Sequence, residues 1–199
     1  MEKEIDSSSR TYVDYISLQK EKTTDPKKRE KWLNQEWDLK LNGFERVFRK
    51  NLSVIGKKCL CIGARTGQEV QALINLGKEA IGIDLVPCEP LVIEGDFHNL
   101  SFENGSFDFV FSNVFDHALY PDKFLQEISR VLSSRGVAIL HLQTGGFNDK
   151  YGVHDINEIN EDFVAYLPSD LKDVSYSHIS YPEFATFDLE ALLTKAEYE

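Results

Sequence analysis

Cysteine is scarce in this 199-residue chain, and the scarcity excludes a fold held together by zinc. Cys59, Cys61 and Cys88 form an odd set with no Cys-x-x-Cys spacing and no nearby histidine pair, so no metal site is expected. Cys59 and Cys61 lie two apart in an apolar run, where strand geometry puts them on one face as small packed groups. Buried reduced thiols suit the cytosol. Long hydrophobic runs are also missing: none approaches the ~18 residues that a membrane-spanning helix requires. The N-terminal MEKEIDSSSR is polar and is not a secretory signal, so a cytoplasmic protein without a membrane partner is expected. Basic residues are few as well, 22 Lys and Arg against 33 Asp and Glu, for a net charge of -11. Residues 1–58 carry 14 basic and 10 acidic groups, and residues 59–199 carry 8 and 23, which gives +4 and -15. An acidic body repels phosphate backbones, so a nucleic-acid partner is excluded unless the N-terminal segment alone makes the contacts. Lys27, Lys28, Arg29 and Lys31 read instead as a solvated helix face.

What the chain does have is an ordinary globular composition, 42% hydrophobic, at a length that suits one domain. Its most informative stretch runs from Cys59 to Asp84, CLCIGARTGQEVQALINLGKEAIGID. CLCIG reads as a buried parallel strand, and the turn from Gly63 to Gly67 lets backbone approach a ligand. Val70, Leu73, Ile74 and Leu76 give the next helix one apolar face, and AIGI rebuilds a strand that ends on Asp84. A carboxylate there is placed to accept hydrogen bonds from both ribose hydroxyls of an adenosine-containing cofactor.

Downstream, LVIEGD is a short strand ending on Asp96, FDFVFSN a fourth strand ending near Asn113, and VAILHL a fifth. PDKFLQEISRVLSSRG between the last two reads as a helix from Pro121 that stops at Gly136. Strands alternating with helices argue for a doubly wound parallel sheet with ligands at the carboxyl ends of its strands. In the tail, INEDFVAYL reads as helical, while DVSYSHISY and ATFDLEALLTK suggest a closing pair of strands at one edge of the sheet. Ahead of the first strand, residues up to about 25 read as loose or partly helical. Leu33, Trp37, Leu41, Phe44 and Phe48 follow as a helical stripe, for packing on the body or for capping a cleft.

These residues, over roughly 55–145, resemble the class I S-adenosylmethionine-dependent methyltransferases, within the group called methyltransferase type 11. The stretches that carry the resemblance are IGARTG from Ile62 to Gly67, Asp84, Gly95 with Asp96 and Phe97, FSNVFDHALYPDKF, and EISRVLSSRG. It implies a Rossmann-like, mostly parallel seven-stranded sheet with helices on both faces and an antiparallel edge pair at the C-terminus. Residues 51–199 would form the cofactor-binding domain and residues 1–50 a helical extension or lid. The implied S-adenosylmethionine site uses Gly63, Ala64, Arg65, Gly67, Asp84, Leu85, Asp96, Phe97 and Asn113. Two positions depart from the family's first loop: Cys61 stands where an acid is usual, and Arg65 where the middle glycine is. Arg65 adds a charge suited to the cofactor carboxylate, or else faces solvent. The ARTGQEV wording also resembles a plant-type subgroup, which brings no substrate with it.

A sulfonium already carries an activated methyl group, so the protein mainly aligns a nucleophile and excludes water. A base is needed only where the acceptor must lose a proton. Asp116 and His117, just after the fourth strand, are the candidates, with His117 as base or shaping residue and Asp116 orienting it. His141 reads as a core histidine satisfied by backbone, His98 as a loop residue, and Asp96 as adenine ligand or turn cap. The leading expectation is methyl transfer to a small molecule or protein. A catalytically silent cofactor-binding regulator and an NAD-dependent oxidoreductase stand as alternatives, the latter disfavoured by the lack of Gly-x-Gly-x-x-Gly spacing.

Overall fold

The computed structural model describes residues 11–145, 150–180 and 187–196. Seven strands form one sheet: β1 (Lys58–Ile62), β2 (Glu79–Asp84), β3 (Val92–Glu94), β4 (Phe107–Ser112), β5 (Leu132–Leu142), β6 (Leu171–His178) and β7 (Leu189–Lys195). Their order is β3-β2-β1-β4-β5-β7-β6. The first five in chain order pair in parallel, and β7 runs antiparallel to both of its neighbours. The expected edge pair is present, with the later strand placed inside and β6 left at the edge.

The apolar run of β1 is buried on both faces, as a central parallel strand requires. Leu60 and Ile62 join one core layer with Phe124, Leu125 and Ile128 of helix α5 (Pro121–Val131). Cys59 and Cys61 join the other, with Phe44 and Phe48 of α3 (Trp37–Lys50) and Val70 and Leu73 of α4 (Gln68–Asn75). The two thiols therefore share a face, as strand alternation predicts. Burial pushes the Cys59 thiol up to about 12 and Cys61 well above its ordinary value, so neither is a nucleophile.

Two expected helices change extent. The aromatic stripe docks only through α3, where Phe44 and Phe48 meet the Phe111 edge with ring centres 5.6 and 5.2 Å apart. The backbone widens into a π turn over Lys31–Gln35, with the Glu36 amide bonded to the Lys31 carbonyl. That shifts the side-chain register and leaves Leu33 exposed. Helix α5 ends at Val131 instead of reaching Gly136, because Leu132 turns extended and pairs with Phe107 of β4 across a bulge.

Ahead of α3 lie α1 (Tyr12–Thr24), capped by the Thr11 side chain, and α2 (Pro26–Glu30), capped by Asp25. Helix α1 crosses the connections that follow β3, β4 and β5. Lys20 pairs with Glu94, the Tyr15 hydroxyl donates to the His117 carbonyl at 2.8 Å, and Gln19 Nε2 donates to the Tyr151 carbonyl at 2.6 Å. A short α6 (Ile159–Asp162) and a following turn of 3-10 helix (Val164–Tyr166) lead into β6. No helix among the described residues is long and apolar enough to cross a membrane.

Candidate functional site

The site begins where β1 runs out. Gly63 has a φ of +74°, and a Cβ there would come within 2.6 Å of Val114, so this turn takes glycine. The Gly63 and Ala64 amides both donate to the Ile83 carbonyl, at 2.9 and 3.0 Å, which folds the loop onto the end of β2. Arg65 follows with a φ of 44°, and its amide donates to Asp84 Oδ2 at 3.1 Å. The Val86 amide donates to Asp84 Oδ1 at 3.0 Å. Burial raises the Asp84 carboxyl above its ordinary value, with the two amides and the Arg65 and Arg29 charges opposing. Each Asp84 oxygen keeps a lone pair beyond the amide it accepts.

A cavity of about 490 Å³, counted with its open mouth, lies at these carboxyl ends. Of the residues singled out from sequence, Gly63, Arg65, Asp84, Leu85, Phe97 and His117 line it. Ala64, Gly67, Asp96, Asn113 and Asp116 do not. Ala64 is buried in the core, Gly67 has a φ of 90° and precedes α4, and Asn113 is half-buried just past β4. Gly95, quoted with Asp96 and Phe97, also lines the cavity, whereas sequence reasoning missed Gln19, Lys22 and Thr23, which α1 brings to the cavity wall, together with Ile83 and Val114.

Asp96 also serves α1. Its carboxylate accepts the Tyr12 hydroxyl and, at 2.9 Å, the His98 amide. The Tyr12 ring stacks on Tyr120 with centroids 5.9 Å apart. His98, expected as a plain loop residue, is buried and accepts the Tyr120 amide at Nε2.

His117 closes a turn of 3-10 helix after β4 and is buried. Its Nδ1 lies 3.1 Å from the Tyr151 carbonyl, while Nε2 lies 3.4 Å from Lys22 Nζ and 3.6 Å from Asp116 Oδ2. A carbonyl only accepts, so this network assigns the proton of the neutral ring to Nδ1 and the lone pair to Nε2. Burial lowers the His117 pKa, the Lys22 and Arg65 charges lower it further, and Asp116 and the Tyr151 carbonyl oppose them. The ring is oriented by Tyr151 rather than by Asp116, which stands beside the lone-pair nitrogen. His141 is a core residue, edge-on to Phe111, and its Nε2 lies 3.2 Å from the Glu190 carboxylate.

Taken together, the cavity fits an adenosyl cofactor. Asp84 has lone pairs left for ribose hydroxyls, Ile83, Leu85 and Phe97 offer apolar surface to a purine, and the Arg65 guanidinium, 5.0 Å from the Trp32 ring centre, supplies a cation for a carboxylate. No group of three or more His, Cys, Asp or Glu among the described residues is arranged to hold a metal.

Comparison with known proteins agrees. Residues 60–140 match the family model described as a methyltransferase domain. No curated protein matches the chain. Among solved structures, the fold is similar to Burkholderia thailandensis 1,6-didemethyltoxoflavin-N1-methyltransferase, which holds 1,6-didemethyltoxoflavin and S-adenosylhomocysteine. The TM-score is 0.70 at 13% identity, over 93% of this chain and 89% of that one. A SAM-dependent methyltransferase from Aquifex aeolicus gives 0.64 at 16% identity, over 86% and 99%. The putative methyltransferase in complex with the Haloferax volcanii Trm112 activator gives 0.61 at 17%, over 85% and 98%. A model described as a methyltransferase domain that starts in β1 and stops in β5, on a sheet in this strand order, supports a Rossmann-like methyltransferase domain over residues 60–140, with S-adenosylmethionine as its cofactor.

Proposed function

We propose that the enzyme methylates a small molecule, with His117 as the general base. The observation that carries this is the fixed ring of His117, a residue of the cavity wall, whose Nδ1 faces the Tyr151 carbonyl and whose Nε2 is left as the basic nitrogen. Asp84 holds the ribose, Leu85 and Phe97 flank the adenine, and Arg65 takes the methionine carboxylate. Gly63 shapes the first loop, in which Ala64 and Gly67 act as structural supports. Asn113 and Asp96 stand behind this shell, with Asp96 serving α1. When bound, the cofactor supplies an electrophilic methyl group. The protein then has to hold the acceptor in line, exclude water and receive a proton.

A small acceptor is favoured over a protein because α1 lies across the strand ends and contributes part of the cavity wall. Residues 1–50 act in this reading as an extension that covers the site, and residues 51–199 as the catalytic body. The similar Burkholderia enzyme, whose structure holds 1,6-didemethyltoxoflavin, supports a small-molecule acceptor. The acidic body disfavours nucleic acid. Three free cysteines support a reducing, cytoplasmic setting.

Calorimetric titration with S-adenosylhomocysteine tests the cofactor site, with saturable binding expected for the homocysteine and none for NAD. Binding of NAD alone would overturn the assignment. Methyl transfer to a panel of small acceptors, lowered by about 10² to 10⁴ in His117→Gln with S-adenosylhomocysteine binding retained, tests the base.

A further inference from the structure

Helix α1 brings a cation to the wall that holds the proposed base. Lys22 and His117 both line the cavity, and Lys22 Nζ stands 3.4 Å from His117 Nε2. The same ammonium lies 5.3 Å from the centre of the Tyr151 ring, and Tyr151 also supplies the carbonyl that fixes the histidine. Two further ammoniums, of Lys28 and Lys150, lie 5.0 and 4.6 Å from that ring. Arg65 adds a fourth cation at the cavity itself. Lys150 is paired with Glu21 at 2.8 Å and Asp84 lies on the same cavity wall, so Lys22 is the cation that meets His117 directly.

An ammonium only donates, and Nε2 in this tautomer only accepts. A group placed against both meets a proton acceptor and a positive charge at one point. An aliphatic amine gains nothing there, since its ordinary protonated form is repelled by Lys22 and Arg65. A plain alcohol holds its proton too tightly to use the charge. A group that releases its proton to become an anion is stabilised by both partners.

Resting on the assignment of His117 as base, we propose that the acceptor carries an acidic O–H or ring N–H, as in a phenol, an enol or a nitrogen heterocycle, and is methylated as the anion held between His117 Nε2 and the Lys22 ammonium. The proton passes from the acceptor to Nε2. The lone pair left on the acceptor forms the bond to the methyl carbon, and the electron pair of the broken carbon–sulfur bond stays on sulfur. The imidazolium then returns its proton to water. Asp116, 3.6 Å from Nε2, balances the charge in the interval. Lys22 is thus the residue that selects acidic acceptors.

The test uses the full chain saturated with S-adenosylhomocysteine and para-nitrophenol as the probe, whose anion alone absorbs visible light. In a buffer below the phenol's own pKa, added protein is expected to raise the anion band to saturation. Lys22→Gln should weaken that anion binding by about tenfold or more, because one partner of a desolvated charge pair is removed. Its affinity for S-adenosylhomocysteine should stay within about twofold, a change well under 1 kcal/mol. Lys27→Gln, on the exposed face of α2, should behave as the wild type. A probe that stays unbound, or binds as the neutral phenol, overturns the proposal. So does Lys22→Gln ionising the probe as the wild type does, or losing homocysteine affinity instead, which would assign Lys22 to the cofactor. Failure of the wild type to bind S-adenosylhomocysteine overturns the cofactor assignment and the proposal with it, whereas binding without the anion band overturns the proposal alone.

Discussion

Tyr12 donates its hydroxyl to the carboxylate of Asp96, joining the first turn of α1 to the turn that follows β3. The two residues are 84 positions apart, and one bond commits both. Asp96 gains a partner outside the cavity, and α1 gains an anchor at its N-terminal end. Tyr15 and Gln19 continue the seam along the helix.

Tyr12→Phe should loosen α1 without unfolding the sheet. A hydrogen bond to an ionised group is worth ~1.5–3 kcal/mol, less where water competes, so amide exchange in α1 should quicken by about tenfold while β1 stays protected. Burial by itself would raise the Asp96 carboxyl, but bonds from the His98 ring, Tyr12 and the His98 amide hold it below its ordinary value. A carboxylate lowered in the folded state contributes stability that is present above its unfolded pKa of about 3.9 and is lost as pH falls below it. Protection of α1 in the wild type should therefore decline on acidification below about pH 4, and less so in Tyr12→Phe.

Asp84→Ala should reduce affinity for S-adenosylhomocysteine by roughly 1 to 3 kcal/mol, the cost of removing a charged acceptor from a buried partner. Asparagine should fare no better, because one of its terminal atoms becomes a donor facing the Arg65 or Val86 amide. Calorimetry on both variants is the check, and unchanged affinity would remove Asp84 from the site.

His117→Asn should lower turnover by about 10² to 10⁴ with homocysteine affinity preserved, in keeping with loss of a general base. Burial holds the wild-type ring below the ordinary 6.5. The base is therefore neutral and competent at pH 7, and kcat/KM should fall only as pH drops below 6.5 through the lowered folded value. Removing the Lys22 charge should move that acid limb to higher pH, since Lys22 is one of the groups that lower the ring.

Glu69, buried in the first turn of α4, gives a stability prediction of opposite sign. Burial pushes its carboxyl from 4.5 up to about 8, against the pull of its own backbone amide, Arg65 and Lys40. An acid raised in the folded state costs nothing below its unfolded pKa and destabilises progressively as pH climbs toward the folded value. Thermal melts of the wild type should therefore fall from about pH 5 to about pH 9, and Glu69→Gln should flatten that slope.

The strands and the β2 acid were legible in the sequence because they follow local rules. CLCI is a continuous apolar run, FDFVF is broken only by Asp108, and Asp84 closes the AIGI run of β2. The share of the cavity supplied by α1 was not legible. Val13 is 73% exposed, and the helix buries Tyr15 and Thr23, so no apolar stripe announces it. Its docking runs through hydroxyl, amide and ammonium groups whose partners lie far off in sequence. Tyr151 was hidden for the same reason: what it gives His117 is a main-chain carbonyl, and any residue has one. The end of α5 was misplaced because sheet pairing between Leu132 and Phe107 outweighs a helical pattern that continues in the text.

The placement of β7 between β5 and β6 imposes an order on synthesis. β6 leaves the ribosome before the strand that joins it to the sheet, so for that interval the β5 edge and all of β6 carry open main-chain groups. Ile139 and Leu140 of β5, which end buried against β7, are exposed on the nascent chain at that stage. Chaperone contact with this enzyme is expected to concentrate on that window, well after the cofactor-binding half has formed.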